Sequence, residues 1–253
     1  MGVFHATIKS AELLTETEVT VILPQDSAAK LQKPLRTLYL LHGMGRNHTT
    51  WLHDSNIHQY ASQYKMAVIM PEVRRNLYCD MAYGRKFFSW ISGELPAHMN
   101  KTLHIPAEPS QTYIAGRSVG GYGALKCAFT FPNRYAGAAS FSGTVHLPKA
   151  IPLLLKDGIM SEAEIQGNLG EAMTVHDEND LLVLAEKAPQ VRIFQSCGTE
   201  DFLLENNRLA CAALTQNLSD YRYEELPGAH DAVCFDASLK RALQFFFGEE
   251  ASV

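Results

Sequence analysis

Basic runs, paired cysteine spacings and long apolar stretches are all missing from this 253-residue chain. With a formal net charge of -5 and no zinc-type spacing, it offers a phosphate backbone no electrostatic footing, so nucleic acid is not an expected partner. No run is apolar for long enough to span a bilayer, and MGVFHATIKSAELL lacks a basic stretch leading into an apolar one. A soluble, intracellular protein without membrane partners is expected. The five cysteines, Cys79, Cys127, Cys197, Cys211 and Cys234, are odd in number and never form a CxxC pair. A disulfide framework and a thiolate metal site are therefore unsupported, and reduced, partly buried thiols are expected. Neither GxGxxG after a strand nor GxxxxGK[ST] occurs, which leaves nucleotide cofactors without a landing site.

What is present is ordinary globular material, 46% hydrophobic and 19% charged, enough to cover both faces of one buried sheet. A single domain over residues 1–253 is expected. Early alternation at Phe4, Ala6 and Ile8, then Val19, Val21 and Leu23, predicts two half-buried antiparallel strands. Further on, LRTLYLLHG, MAVIMP, TYIAG, YAGAASFSG and VRIFQSCG are short apolar runs ending in Gly or Pro, as parallel strands buried on both faces require. Helical spacing falls between them, at about 49–64, 85–103, 119–131, 202–218 and 232–247. The alternation predicts an α/β fold: a mostly parallel, twisted, doubly wound sheet with an antiparallel N-terminal edge and helices on both faces. Only about 144–187 breaks the rhythm, with helix-like pieces, no strand, and loose polar stretches such as GNLGEAMTVHDEND. It reads as an insert over one end of the sheet, either a wall or lid for a pocket or a plain surface excursion.

The strongest local signal is Gly116-Arg117-Ser118-Val119-Gly120, which is GxSxG between an apolar strand and a helix. A nucleophile on so sharp a turn needs small neighbours, and the first amides of the next helix favour negative charge beside it. Serine also needs a general base and a carboxylate to orient that base. Downstream histidines are His146, His176 and His230. His146 comes too early and His176 sits in the polar insert, whereas His230 lies between a strand-like YRYEEL and the last amphipathic helix. VRIFQSCG runs into Glu200 and Asp201, of which Asp201 is the preferred acid and Glu200 the alternative; Asp201 is also a natural N-cap for the following helix. LYLLHGMG offers a second oxyanion donor, so the backbone N–H groups of Met44 and Val119 are the expected pair. Trp51 and Tyr83 are candidates for lining the mouth, or for core packing. Arg117 is expected either to read an acidic substrate or to pair with a buried carboxylate, the second being favoured because an uncompensated buried charge is costly. His42, His48, His53 and His58 suggest a metal, but a spacing of five does not share one helix face and no accompanying carboxylate pattern is visible, so no metal is expected.

The blocks LYLLHGMGRNHTTW, MAVIMPE, MAYG, ELP, AGRSVGGYGALKCAF, AASFSG, CGTEDFLLENN and PGAHDAVCF, in this order, resemble the esterase D group of the α/β-hydrolases, and within it the small bacterial tributyrin esterases. The resemblance implies the α/β-hydrolase fold and a cytoplasmic, cofactor-free, often homo-oligomeric hydrolase of short acyl esters. It also implies Ser118, Asp201 and His230 as nucleophile, acid and base. S-formylglutathione hydrolases, feruloyl and acetyl esterases, and acyltransferases share that triad, and a hydrolase-like binding module without turnover is the non-enzymatic alternative. Met44-Gly45-Arg46-Asn47 stands where S-formylglutathione hydrolases generally carry a Thr-Cys element. Arg117 stands where related esterases often have an apolar residue.

Overall fold

The computed structural model describes residues 1–25 and 35–248. Eight strands form one sheet: β1 (Gly2–Ser10), β2 (Thr15–Leu23), β3 (Thr37–Leu41), β4 (Ala67–Pro71), β5 (Thr112–Arg117), β6 (Gly137–Phe141), β7 (Ile193–Gly198) and β8 (Tyr221–Leu226). Their order is β1-β2-β4-β3-β5-β6-β7-β8. β1 pairs antiparallel with β2, and β2 antiparallel with β4. All other pairings are parallel, so the antiparallel edge lies at the N-terminus, as the alternating pattern predicts.

Continuous apolar sequence makes the central strands because both of their faces are covered. In β3, Leu38 and Leu40 join a cluster with Trp51 and Phe235, while Tyr39 and Leu41 join one with Trp90 and Tyr122 on the opposite face. Each such buried side chain contributes roughly 1.5–3 kcal/mol relative to exposure. The first face is covered by α1 (Thr50–Asp54), α2 (Ile57–Gln63) and α10 (Ala232–Phe247). The second is covered by α3 (Phe87–Ser89), α4 (Leu95–Leu103), α5 (Val119–Thr130), α6 (Leu147–Lys156), α7 (Glu162–Leu169), α8 (Leu181–Glu186) and α9 (Leu204–Asn217). The edge strands keep polar alternation, as YRYEEL does in β8.

Two expected helices are interrupted. The 49–64 segment divides at Ser55-Asn56, where Ser55 Oγ turns back to the Trp51 carbonyl and Asp236 of α10 accepts from both the backbone and side-chain N–H groups of Asn56. In 85–103, a π-helical stretch at Trp90–Glu94 separates α3 from α4. All five cysteines are free. Burial pushes the thiol of Cys79 up to about 11 and that of Cys127 up to about 12, which leaves both protonated and unreactive at neutral pH.

The segment 144–187 forms α6, α7 and α8 without a strand and is tied down by specific contacts. Tyr122 and Lys126 of α5 donate to the carbonyl and side-chain oxygens of Asn179, at 2.8 and 2.5 Å. Arg75 holds Glu164 of α7.

Candidate active site

Sheet register brings the site together at the carboxyl ends of the strands, where open α/β sheets bind ligands. Gly116 of β5 lies opposite Leu41 of β3, so the His42-Gly43-Met44 loop emerges beside Ser118. Ser118 sits between β5 and α5 with φ 54° and ψ -129°, a left-handed φ that costs a non-glycine residue on the order of 1–3 kcal/mol. The turn closes only because its neighbours are glycines. A Cβ on Gly116 would stand 2.3 Å from the Gly120 backbone, and one on Gly120 would stand 2.5 Å from the His42 carbonyl oxygen.

Asp201 and His230 meet because the loops after β7 and β8 are stitched to each other. The Thr199 amide donates to the Leu226 carbonyl and the Glu200 amide to the Gly228 carbonyl. His230 Nδ1 then lies 2.8 Å from Asp201 Oδ2, with the carboxylate fully shielded and the imidazole 24% exposed. The other oxygen of Asp201 accepts from the Leu203 amide, so the carboxylate orients the ring and the approach to α9 at once. Phe202 and Phe235 flank the imidazole with ring centroids at 4.8 and 5.1 Å. Glu200 is exposed and takes no part in this pair. His176 is exposed, and His146 accepts from the Lys149 amide at the start of α6.

Ser118 and His230 line one cavity of about 220 Å³, together with Gly43, Met44, Arg46, Asp54, Arg117, Ile159, Asp231, Ala232 and Phe235. Val119 opens α5, where an amide N–H has no intrahelical acceptor; Met44 borders the cavity from the opposite loop. Arg117 is buried against Asp54, Nη2 to Oδ2 at 2.9 Å, with its guanidinium over the rings of Trp51 and Phe235. Burial lowers its pKa and the Asp54 ion pair works against that shift; Asp54 is partly exposed, and both residues also border the cavity.

Trp51 and Tyr83 do not line this cavity. Trp51 is buried beneath Arg117, where its Nε1–H donates to the Leu41 carbonyl and its ring meets Phe141 edge-on. Tyr83 is 64% exposed, on a loop whose amide donates to Gly167. Walls that sequence reading missed are Ile159 from the insert, Phe235 one turn into α10, Asp54, and the exposed Arg46. Phe235 had a signal, since it lies close behind His230 on an apolar helix face; Ile159 had none.

The four early histidines part company. His53 and His58 are exposed. His42 is buried and satisfied by backbone: Nδ1–H donates to the Gly43 carbonyl and Nε2 accepts from the Val73 amide. His42 also lies 3.4 Å from Glu72, and His48 lies near two carboxylates, those of Glu18 and Glu72.

The Esterase family model matches residues 10–246. Acetyl esterase of Caldicellulosiruptor saccharolyticus is 28% identical over 246 residues, covering 91% of this chain and 92% of the relative. S-formylglutathione hydrolase of Bos taurus is 26% identical over 225 residues, covering 79% and 75%. Among solved structures, the fluorophosphonate-binding serine hydrolase FphF of Staphylococcus aureus superposes with a TM-score of 0.86 at 29% identity, covering 97% of this chain and 98% of that one. The S-formylglutathione hydrolase FrmB of the same organism gives 0.85, also at 29%. Among the described residues no helix is long and apolar enough to cross a membrane. A strand-turn-helix serine, a hydrolase sheet and these matches lead to one assignment: the chain belongs to the Esterase family, hydrolases of the α/β-hydrolase superfamily related to S-formylglutathione hydrolases.

Proposed function

We propose that this protein is a serine carboxylesterase that hydrolyses short-chain acyl esters through Ser118, His230 and Asp201. One observation carries the reading: the 2.8 Å Asp201–His230 pair opens onto the same cavity as the strained Ser118. Asp201 keeps the proton of neutral His230 on Nδ1, which leaves Nε2 to take the Ser118 proton as Oγ attacks the acyl carbon. The backbone N–H groups of Met44 and Val119 then receive the oxyanion, each donor lowering the barrier by about 3 kcal/mol. Protonated His230 returns its proton to the departing alcohol. Water, activated by the same imidazole, releases the acid and restores Ser118.

A cavity of about 220 Å³ is small. It falls below the roughly 300–1,000 Å³ of pockets that hold drug-sized ligands, which favours an acyl group of a few carbons. That size, with the S-formylglutathione hydrolases among the relatives, supports thioester cleavage as the second reading.

The test is fluorophosphonate labelling of wild type and Ser118→Ala, followed by p-nitrophenyl esters of increasing acyl length and S-formylglutathione. Labelling and turnover should vanish together in the variant, a fall of about 10⁴-fold or more in kcat, and acetyl or butyryl esters should outrun octanoyl. An unlabelled wild type, or a Ser118→Ala variant with full activity, would sink the assignment. Faster cleavage of the glutathione thioester than of any ester would establish the second reading. Repeating the assay with an added alcohol acceptor separates hydrolysis from acyl transfer.

A further inference from the structure

Beside His42, and outside the lining of the Ser118 cavity, three side chains converge from three separate parts of the chain. One nitrogen of His48 and one carboxylate oxygen each of Glu18 and Glu72 lie within 4.8 Å of one another. Glu18 is on β2. Glu72 follows directly after β4, and its amide donates to the Glu18 carbonyl, so antiparallel pairing of β2 with β4 sets the two carboxylates side by side. His48 arrives from the loop after β3. We propose that Glu18, His48 and Glu72 form a binding site for one first-row divalent cation, of which Zn²⁺ is the reference.

Three features favour a cation over a fortuitous cluster. Glu72 is almost wholly buried; its carboxylate accepts from the backbone amides of Arg74 and His48, and the side chain beside it is His42, whose ring is already satisfied by the Gly43 carbonyl and the Val73 amide, so among the described residues no fixed cation faces it. Among the described residues Glu18 meets a cation solely through a long 3.5 Å contact to Arg74, both side chains being well exposed. Two carboxylates held this close repel each other unless positive charge stands between them. Secondly, the imidazole is oriented from behind: Thr20 Oγ1 lies 2.7 Å from His48 Nδ1, which leaves Nε2 free to coordinate, the arrangement by which a second layer fixes a metal-binding histidine. Thr20 shares a sheet face with Glu18 because they are two residues apart on one strand. The same hydroxyl lies 2.8 Å from His5 Nδ1, so it accepts from one imidazole and donates to the other. Thirdly, one imidazole and two carboxylates with no thiolate suit Zn²⁺ or Mn²⁺, with water completing the shell. Ligand atoms about 2.0–2.2 Å from a tetrahedral metal stand about 3.3–3.6 Å apart, so from spacings of up to 4.8 Å binding requires the partly exposed Glu18 and His48 side chains to close in by up to about 1.4 Å.

The site is separate from Ser118, Asp201 and His230, and it does not depend on the esterase reading. Its test is binding of Zn²⁺ itself. Full-length protein, stripped with a chelator that is then removed, is titrated with Zn²⁺ by calorimetry, and its Tm is followed with and without the metal. Wild type should take up one equivalent at this site and gain Tm. Glu18→Gln and His48→Gln, both partly exposed and outside the catalytic groups, should each bind at least tenfold more weakly and lose the Tm gain. Thr20→Val should weaken binding about tenfold without removing a ligand. Wild-type affinity in either Glu18→Gln or His48→Gln overturns the proposal, as does a wild type that takes up no Zn²⁺. Circular dichroism and ester hydrolysis report whether each variant is folded.

Discussion

Two imidazoles, one buried and one partly exposed, sit beside carboxylates about the same sheet, and they are bonded differently. His230 gives Nδ1 to Asp201 and leaves its other nitrogen on an open cavity beside a serine. His42 lies 3.4 Å from Glu72, yet both of its ring nitrogens are taken by backbone groups of Gly43 and Val73. Composition does not separate the two pairs. The free second nitrogen does: an imidazole moves a proton for a substrate only when one ring atom is still unengaged, whereas a fully bonded one pins loops together.

That contrast breaks first at Asp201. Asp201→Asn should keep the fold and lower kcat about 10⁴-fold, because the amide stabilises the wrong imidazole tautomer; steady-state ester hydrolysis and thermal unfolding, measured together, check it. Unchanged turnover in a folded Asp201→Asn variant would undo the contrast. Next in size is His42→Ala, which strips the Val73 amide of its buried acceptor and opens a cavity. It should cost about 2–4 kcal/mol in denaturant unfolding, with a smaller fall in turnover per folded molecule than Asp201→Asn. The smallest effect concerns the insert that supplies Ile159. Arg75 holds the Glu164 carboxyl down to about 2, helped by Ser161 and opposed by burial. A carboxyl held below its ordinary 4.5 contributes stability that is complete above that value and disappears as pH falls toward 2. Protection factors over residues 159–169, which divide out the intrinsic pH dependence of amide exchange, should therefore fall in that window, and Glu164→Gln should show the lower factors already at pH 7. The pair is partly exposed, so the change should be at most about 1 kcal/mol. Protection factors that do not change across that window would remove the pair from the insert's anchoring.

Much of the architecture was legible because its causes are local. Strands buried on both faces must be apolar without interruption, and GxSxG has to follow one and open a helix, so Ser118 and its setting could be read together. Asp201 and His230 could be placed because each follows a strand end. Sheet order is a different matter. Nothing periodic in the sequence states that β2 lies against β4, so no local pattern foretells that Glu18, Glu72 and His48 meet. Trp51 failed as a wall for a similar reason: its place beneath Arg117 depends on where α1 lands. The break at Ser55-Asn56 needed Asp236, which is 180 residues further along the chain.

The left-handed torsion at Ser118 has a consequence for how such a chain changes over generations. Glycine would sit there without strain, so substitutions that harden the fold and substitutions that keep the chemistry pull position 118 in opposite directions. A lineage screened only for heat resistance should drift away from serine at this position, and one screened for turnover should hold it and find its durability elsewhere in the sheet.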